Sequence, residues 1–194
     1  MPAIRPSADL RNDYNSIIDF YYKEGENPEL RNILLKHSRY VADLALKVCQ
    51  YHRELGADED FVYGAAMLHD IGIIKCDAPG IYCFGKEPYL CHGVLGAEML
   101  RSYSPSLEPY ARVCARHTGT GLTVETIIER GLPLPHQDLV PETLEEQIIC
   151  YADKFFSKTH LDEQKTYEQA SASLAKFGEH GLQVFSRWHE MFGV

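Results

Sequence analysis

Six residues of this 194-residue chain combine metal-ligating side chains with positions where a helical face should be apolar: His37, His69, Asp70, His92, His117 and Asp153. His69 and Asp70 stand side by side in Leu68-His69-Asp70-Ile71-Gly72, at the end of an apolar run. An imidazole or carboxylate on such a face costs stability unless hydrogen bonds, ions or water satisfy it. One buried histidine needs only a carbonyl partner. Four of them, with two aspartates similarly placed, point to convergence on metal. Nitrogen and oxygen ligands without thiolates suit Fe, Mn, Ni, Co or Zn, with Mg at a carboxylate-rich position. Six ligands exceed what one tetrahedral zinc needs, so the set is expected to hold two divalent ions with Asp70 as the bridge. Two ions roughly 3.5–4 Å apart acidify a shared water and clamp the attacking and leaving oxygens of a displacement. That is chemistry for phosphoester hydrolysis, with no serine or cysteine nucleophile required.

Other polar residues near these positions are candidates for holding substrate. Lys75, Arg116 and Lys154 adjoin ligands and can offer charge-assisted hydrogen bonds to phosphate oxygens. Thr118 can donate a hydroxyl, and His136 can serve as a general acid for the leaving group. Glu142, Glu145 and Glu146 read as a solvated helix face.

The elements that must position the ligands read as helices nearly throughout. A first helix is expected over 8–23. Asn27-Pro28-Glu29 reads as N-cap, proline at the first helical position and acidic first turn. The helix it opens carries Leu30, Leu34, His37, Val41, Leu44, Val48, Tyr51 and Leu55 as one inward stripe. Asp58 caps the helix that leads to His69-Asp70, and Gly72 is expected to end it in the left-handed conformation. Residues 73–90 read as a long loop, a lid or specificity element. His92 opens a helix whose Gly93, Gly96 and Ala97 allow a close neighbour. Ser104-Pro105 starts the helix bearing His117, and Thr118-Gly119-Thr120-Gly121 breaks it. A short helix over 123–130 and a Pro-rich loop follow. Pro141 is expected at the first turn of the helix bearing Asp153, and one or two amphipathic helices fill 164–192. The class is all-α, without a strand pattern.

The net charge of −9 argues against a nucleic-acid-coating surface, which needs basic stripes. The first residues lack a signal-peptide core and no apolar run has membrane-spanning length, so a cytoplasmic protein without a membrane partner is expected. The six cysteines show no C-x-x-C pair and read as reduced thiols, with Cys49, Cys114 and Cys150 behaving as small hydrophobes.

The order His37, His69-Asp70, His92, His117, Asp153 resembles the H…HD…H…H…D signature of the HD-domain superfamily of metal-dependent phosphohydrolases. His69-Asp70-Ile71-Gly72 matches its HDIG variant, and the resemblance covers about residues 28–158. In motif the chain is most similar to the symmetrical diadenosine tetraphosphate hydrolases: His92-Gly-Val-Leu-Gly-Ala97 is similar to their H-x-x-x-G-A, His117-Thr-Gly-Thr-Gly121 to their H-T-T-G. Leu144-Glu-Glu-Gln-Ile-Ile-Cys-Tyr-Ala-Asp153 is similar to their last ligand helix. The resemblance implies a single-domain HD-type bundle of about seven to nine helices over 1–194, with 28–158 as its core. It also implies a small phosphorylated substrate, a nucleotide for preference. That branch carries a lysine three residues after the aspartate, where this chain has Ile73, and Lys75 is the nearest replacement for a catalytic role. No Gly-Tyr-Pro follows His117, unlike the HD-GYP phosphodiesterases. The same superfamily contains diiron oxygenases such as myo-inositol oxygenase, which keeps oxygenase chemistry as an alternative, beside a nucleotide-binding protein without turnover.

Overall fold

The computed structural model describes residues 13–194. Helix α1 is Tyr14–Tyr21, inside the expected 8–23, of which residues 8–12 lie outside the described residues. The Asn27 side chain accepts from the Leu30 amide (3.1 Å) and opens α2, Pro28–Tyr51. Leu30, Leu34, His37, Val41 and Val48 of its stripe are buried as expected and Leu44 is half-buried, but Tyr51 is 70% exposed, while Ala42, Ala45 and Cys49 are buried. A strict seven-residue repeat drifts about 20° per heptad on a straight helix, and over three heptads that drift carries Tyr51 out of the core.

Asp58 accepts from the Phe61 amide and caps α3, Glu59–Leu68. Where a left-handed stop was expected, the chain instead passes through His69 and Asp70 into a 3-10 turn, Ile71–Lys75, and Gly72 is not among the positive-φ glycines. Gly72 is required for a different reason. A Cβ there would stand 2.1 Å from the His92 carbonyl oxygen and 2.4 Å from the Gly96 amide nitrogen. Only glycine lets the two backbones meet at that distance.

Residues 73–90 are not a structureless loop. They build a small sheet of β1 (Cys76–Ala78), β2 (Cys83–Phe84) and β3 (Glu87–Pro88), ordered β2-β1-β3, with β1 antiparallel to β2 and parallel to β3. Strands of two or three residues are too short to print an alternating pattern, which is why none was legible. A 3-10 turn, Tyr89–Cys91, leads into α4, His92–Tyr103. Gly93 and Gly96 serve close approach as expected: a Cβ on Gly93 would meet the Cys114 carbonyl at 2.5 Å.

Ser104 and Pro105 start a 3-10 turn that feeds α5, Glu108–Arg116, and the short α6 is Val124–Glu129. Helix α7 is Leu144–Asp153, capped by Thr143 in a reciprocal capping box with Glu146. Pro141 therefore precedes the helix rather than opening it. Glu146 is also not a solvated residue: it is 3% exposed, tied to the cap and paired with Arg112 at 3.0 Å. Helices α8 (Tyr167–Ala175) and α9 (Glu179–Phe192) close the described chain. Helix α9 packs aromatic rings on α7: Tyr151 meets Phe185 and Phe192 at centroid distances of 5.4 and 5.7 Å. Each such buried ring contributes about 1.5–3 kcal/mol, and together they hold the helix that ends in Asp153. Among the described residues the architecture is a helical bundle with one small sheet, and no helix is long and apolar enough to cross a membrane.

Candidate metal centre

Three of the four histidines sit where a helix begins or ends, and each folds back on the carbonyl three residues earlier. His69, following α3, places Nδ1 2.6 Å from the Ala66 oxygen. His92, opening α4, places Nδ1 2.7 Å from the Tyr89 oxygen, and His117, following α5, places Nδ1 2.8 Å from the Cys114 oxygen. A carbonyl can only accept, so Nδ1 must carry the proton in all three. That fixes the tautomer and leaves each Nε2 as the inward-facing atom, the arrangement that orients metal-binding imidazoles. His37 reaches in from the middle of α2, with Nε2 3.0 Å from Asp153 Oδ1 and 3.1 Å from Asp70 Oδ2.

The inward atoms form two groups: His37, His69, Asp70 and Asp153, and Asp70, His92 and His117. Within each, the ligand atoms all lie within 4.8 Å of one another. Asp70 belongs to both, one oxygen near each group. Oδ2 is 3.1 Å from His37 Nε2 and 3.1 Å from His69 Nε2; Oδ1 is 3.4 Å from both His92 Nε2 and His117 Nε2. Asp70 is fully buried, yet neither of its oxygens nor His69 Nε2 makes an aligned hydrogen bond. Buried polar atoms left without partners are costly. His92 Nε2 and His117 Nε2 face each other at 2.9 Å although both Nδ1 atoms are committed as donors. Bare lone pairs this close, beside an Asp70 Oδ1 that has no donor among the described residues, are what a shared cation relieves. The donor set and its geometry thus fit divalent metal.

The electrostatics separate the two groups. Burial, with the facing His117, pushes the His92 imidazole down to about 3, and burial likewise lowers His117, so this pair stays neutral and ligand-ready. Burial would lower His69 as well, but Asp70 and Asp153 outweigh it and hold it up at about 9. Burial opposes ionisation of Asp70, and Lys158 and His69 overcome it, holding the carboxyl well below the usual range. Lys154 and His37 do the same for Asp153.

The helix ends bearing ligands expose carbonyls that need donors. Cys114 Sγ reaches the Leu68 oxygen at 3.2 Å, and Cys150 Sγ reaches the His117 oxygen at 3.3 Å. Burial raises both thiols, Cys150 to about 12, so they keep their protons and can donate. The cysteines expected to be small hydrophobes are thus also supports for the ligand backbone. All six cysteines are free and buried. Tyr22 donates its hydroxyl to the Ile71 oxygen (2.7 Å) and accepts from the Ile74 amide (3.2 Å), pinning the turn beyond Asp70.

Of the residues expected to hold substrate, the structure brings one to the cluster. Lys154 Nζ lies 2.7 Å from Asp153 Oδ2 and 3.0 Å from the His117 oxygen. Lys75 is exposed on a separate cavity with Tyr21, Leu95 and Met99, because the 3-10 turn after Asp70 directs it outward. Arg116 is occupied by Glu142 (2.9 Å) and Glu146 (3.2 Å) across the α5–α7 contact. Thr118 is half-buried with Oγ1 against Gly93, and His136 is exposed in the Pro-rich loop. The residue missed is Lys158, whose Nζ stands 2.5 Å from Asp70 Oδ2. Its only sequence signal is a position five residues beyond Asp153, past the end of α7, where helical spacing no longer predicts direction.

Residues 34–157 match the family model described as HD domain. The chain is 30% identical over 145 residues to a tRNA (cytidine(56)-2'-O)-methyltransferase of Thermoplasma volcanium, covering 75% of this chain and 37% of that protein. It is 38% identical over 122 residues to the uncharacterized protein MJ0778 of Methanocaldococcus jannaschii, covering 63% of each. It thus spans about a third of the methyltransferase and under two thirds of MJ0778. The crystal structure of the HD domain of the L. monocytogenes phosphodiesterase PgpH shares the fold, with a TM-score of 0.51, 16% identity, and coverage of 90% of this chain and 93% of that one. With the matched segment running from α2 to just beyond α7 and enclosing all six ligands, the chain belongs to the HD domain family.

Proposed function

We propose that the chain is a metal-dependent phosphohydrolase acting on a small phosphoester or phosphoanhydride, a nucleotide for preference. The observation that carries this reading is the sharing of Asp70 between two ligand groups, with the ammonium of Lys158 beside it. His37, His69, Asp70 and Asp153 would hold one divalent ion, and Asp70, His92 and His117 a second. Such ions supply an acidified water and polarise the phosphoryl oxygens. The chain's own residues do the rest. The Nδ1 bonds of His69, His92 and His117 keep three Nε2 atoms aimed inward. Lys158 and Lys154 hold phosphoryl oxygens by charge-assisted hydrogen bonds. A bond would form from water oxygen to phosphorus as the bond to the leaving oxygen breaks, and the proton that the water gives up balances the one taken by the leaving oxygen.

A fold shared with a phosphodiesterase HD domain agrees with this reading. The methyltransferase named among the relatives is matched over 37% of its length, and the reading does not extend methyl transfer to this chain. Lysines beside the ligands suit phosphate and give the oxygenase alternative no separate support.

The test is hydrolysis across a panel of nucleotides and phosphoesters by protein reconstituted with Mn or Fe, paired with elemental analysis. Metal-dependent release of phosphate or nucleotide is expected, lost in Asp70→Ala. No turnover of any member by metal-loaded protein would overturn the reading.

A further inference from the structure

Beside the cluster lies a cavity of about 390 Å³ whose walls include Ile81, Tyr89, Phe156, Lys158, Thr159 and Lys165. Two of its lining residues touch the candidate ligands. Tyr89 stacks on the His92 imidazole with ring centroids 4.8 Å apart, and Lys158 joins the cavity to Asp70. The Lys158 ammonium also lies 5.9 Å from the centre of the Tyr89 ring. Another part of the lining is set where the chain returns from a turn at 157–164 and the Lys165 amide bonds the Phe155 oxygen at 2.8 Å. That bond seats Lys165 half-buried on the cavity, and among the described residues no carboxylate stands within ion-pair distance of its ammonium.

A lysine taken partly out of water without a counter-ion is a cost that something should offset. Burial lowers its affinity for its proton, and Lys154, Lys158 and Lys176 add to that against the pull of Asp153. Around this end of the cluster three ammonium groups, Lys154, Lys158 and Lys165, thus face two carboxylates, Asp70 and Asp153, and both carboxylates are metal ligands. The site is cationic before any divalent ion enters it. Lys158 already has Asp70 as its partner, whereas Lys165 on the same cavity has no carboxylate among the described residues to answer it.

We infer that Lys165 is the centre of a second anion subsite, which holds a phosphate of the substrate other than the one being cleaved. The substrate class this selects is a small molecule with at least two phosphate groups, its remaining body lying against Tyr89 and Phe156. This rests on the phosphohydrolase reading for which phosphate reacts, but the subsite can be tested by binding alone.

The experiment uses the full chain loaded with Mn and measures calorimetric binding of pyrophosphate and of orthophosphate, alongside turnover of a nucleoside diphosphate and of para-nitrophenyl phosphate. Lys165→Met should weaken pyrophosphate binding and raise KM for the diphosphate by about tenfold, the scale of one charge-assisted hydrogen bond, with orthophosphate binding and para-nitrophenyl phosphate turnover within about twofold of wild type. Lys165→Arg should restore most of the loss. Equal weakening of both anions, or no change in either, would overturn the subsite. Should Lys165→Met melt at a lower temperature, Lys165→Gln replaces it under the same criteria. Lys165-dependent pyrophosphate binding by a protein that turns over nothing would sink the phosphohydrolase reading and leave the subsite standing; turnover with no Lys165-dependent preference would do the reverse.

Discussion

The floor of the site and its rim are built on different principles. On the floor, three of four imidazoles are aimed by a bond to their own helix end, three residues away, so local geometry fixes them. On the rim, Lys158 and Lys165 come from a segment beyond α7 whose path depends on the return of the chain to Phe155. The floor is over-determined and buried. The rim is held by few bonds, and of its two ammonium groups Lys158 is answered by Asp70 while Lys165 has no such partner among the described residues. On the proposed reading, a site divided this way would keep its chemistry rigid while leaving substrate choice to residues outside the ligand cluster.

The largest effect should follow from removing the one residue common to both ligand groups. Asp70→Ala is expected to abolish binding of both ions by elemental analysis and to lower turnover by about a thousandfold or more, beyond the roughly 10–100-fold typical of changes to supporting residues. Retention of one ion would show that the two groups do not depend on Asp70 alike. Gly72→Ala tests the floor without touching a ligand. Its Cβ must displace the His92 backbone, so thermal and denaturant unfolding should report a loss of about 3 kcal/mol, at the upper end for overpacking. A melting temperature equal to wild type would refute the close contact.

The rim should respond differently. Lys158→Met should leave metal content unchanged and weaken orthophosphate binding by about tenfold, as expected for one charge-assisted hydrogen bond. If metal content falls instead, Lys158 belongs to the floor. The smallest effects are expected at Lys75 and His136, both exposed away from the cluster. Alanine at either should change stability by no more than about 0.5 kcal/mol, and steady-state kinetics should match wild type.

The same division explains what could be read without coordinates. The ligands were legible because each interrupts an apolar helical stripe, and helical period is the strongest local signal a sequence carries. Asn27 and Asp58 were legible as caps because capping is settled within three residues. The sheet at 76–88 was not, since strands of two and three residues leave no period to detect. Gly72 was noticed for the wrong reason: its composition signal is the same whether a glycine serves a left-handed turn or a close backbone contact, and only the neighbouring helix distinguishes them. Lys75 reads as the candidate lysine because nearness along the chain stands in for nearness in space, a rule that gives Lys158 no signal. The solvated reading of Glu146 failed likewise, as its partners Arg112 and Arg116 lie on another helix.

The contact at Gly72 also bears on how the site can move. The segment carrying His69 and Asp70 and the helix opened by His92 touch backbone to backbone, with no side chain between them to change rotamer. They cannot hinge apart without breaking the fold, so they breathe as one rigid body. On the proposed reading, any opening for a substrate would fall to other segments, such as residues 154–165, which reach the cavity beside the cluster.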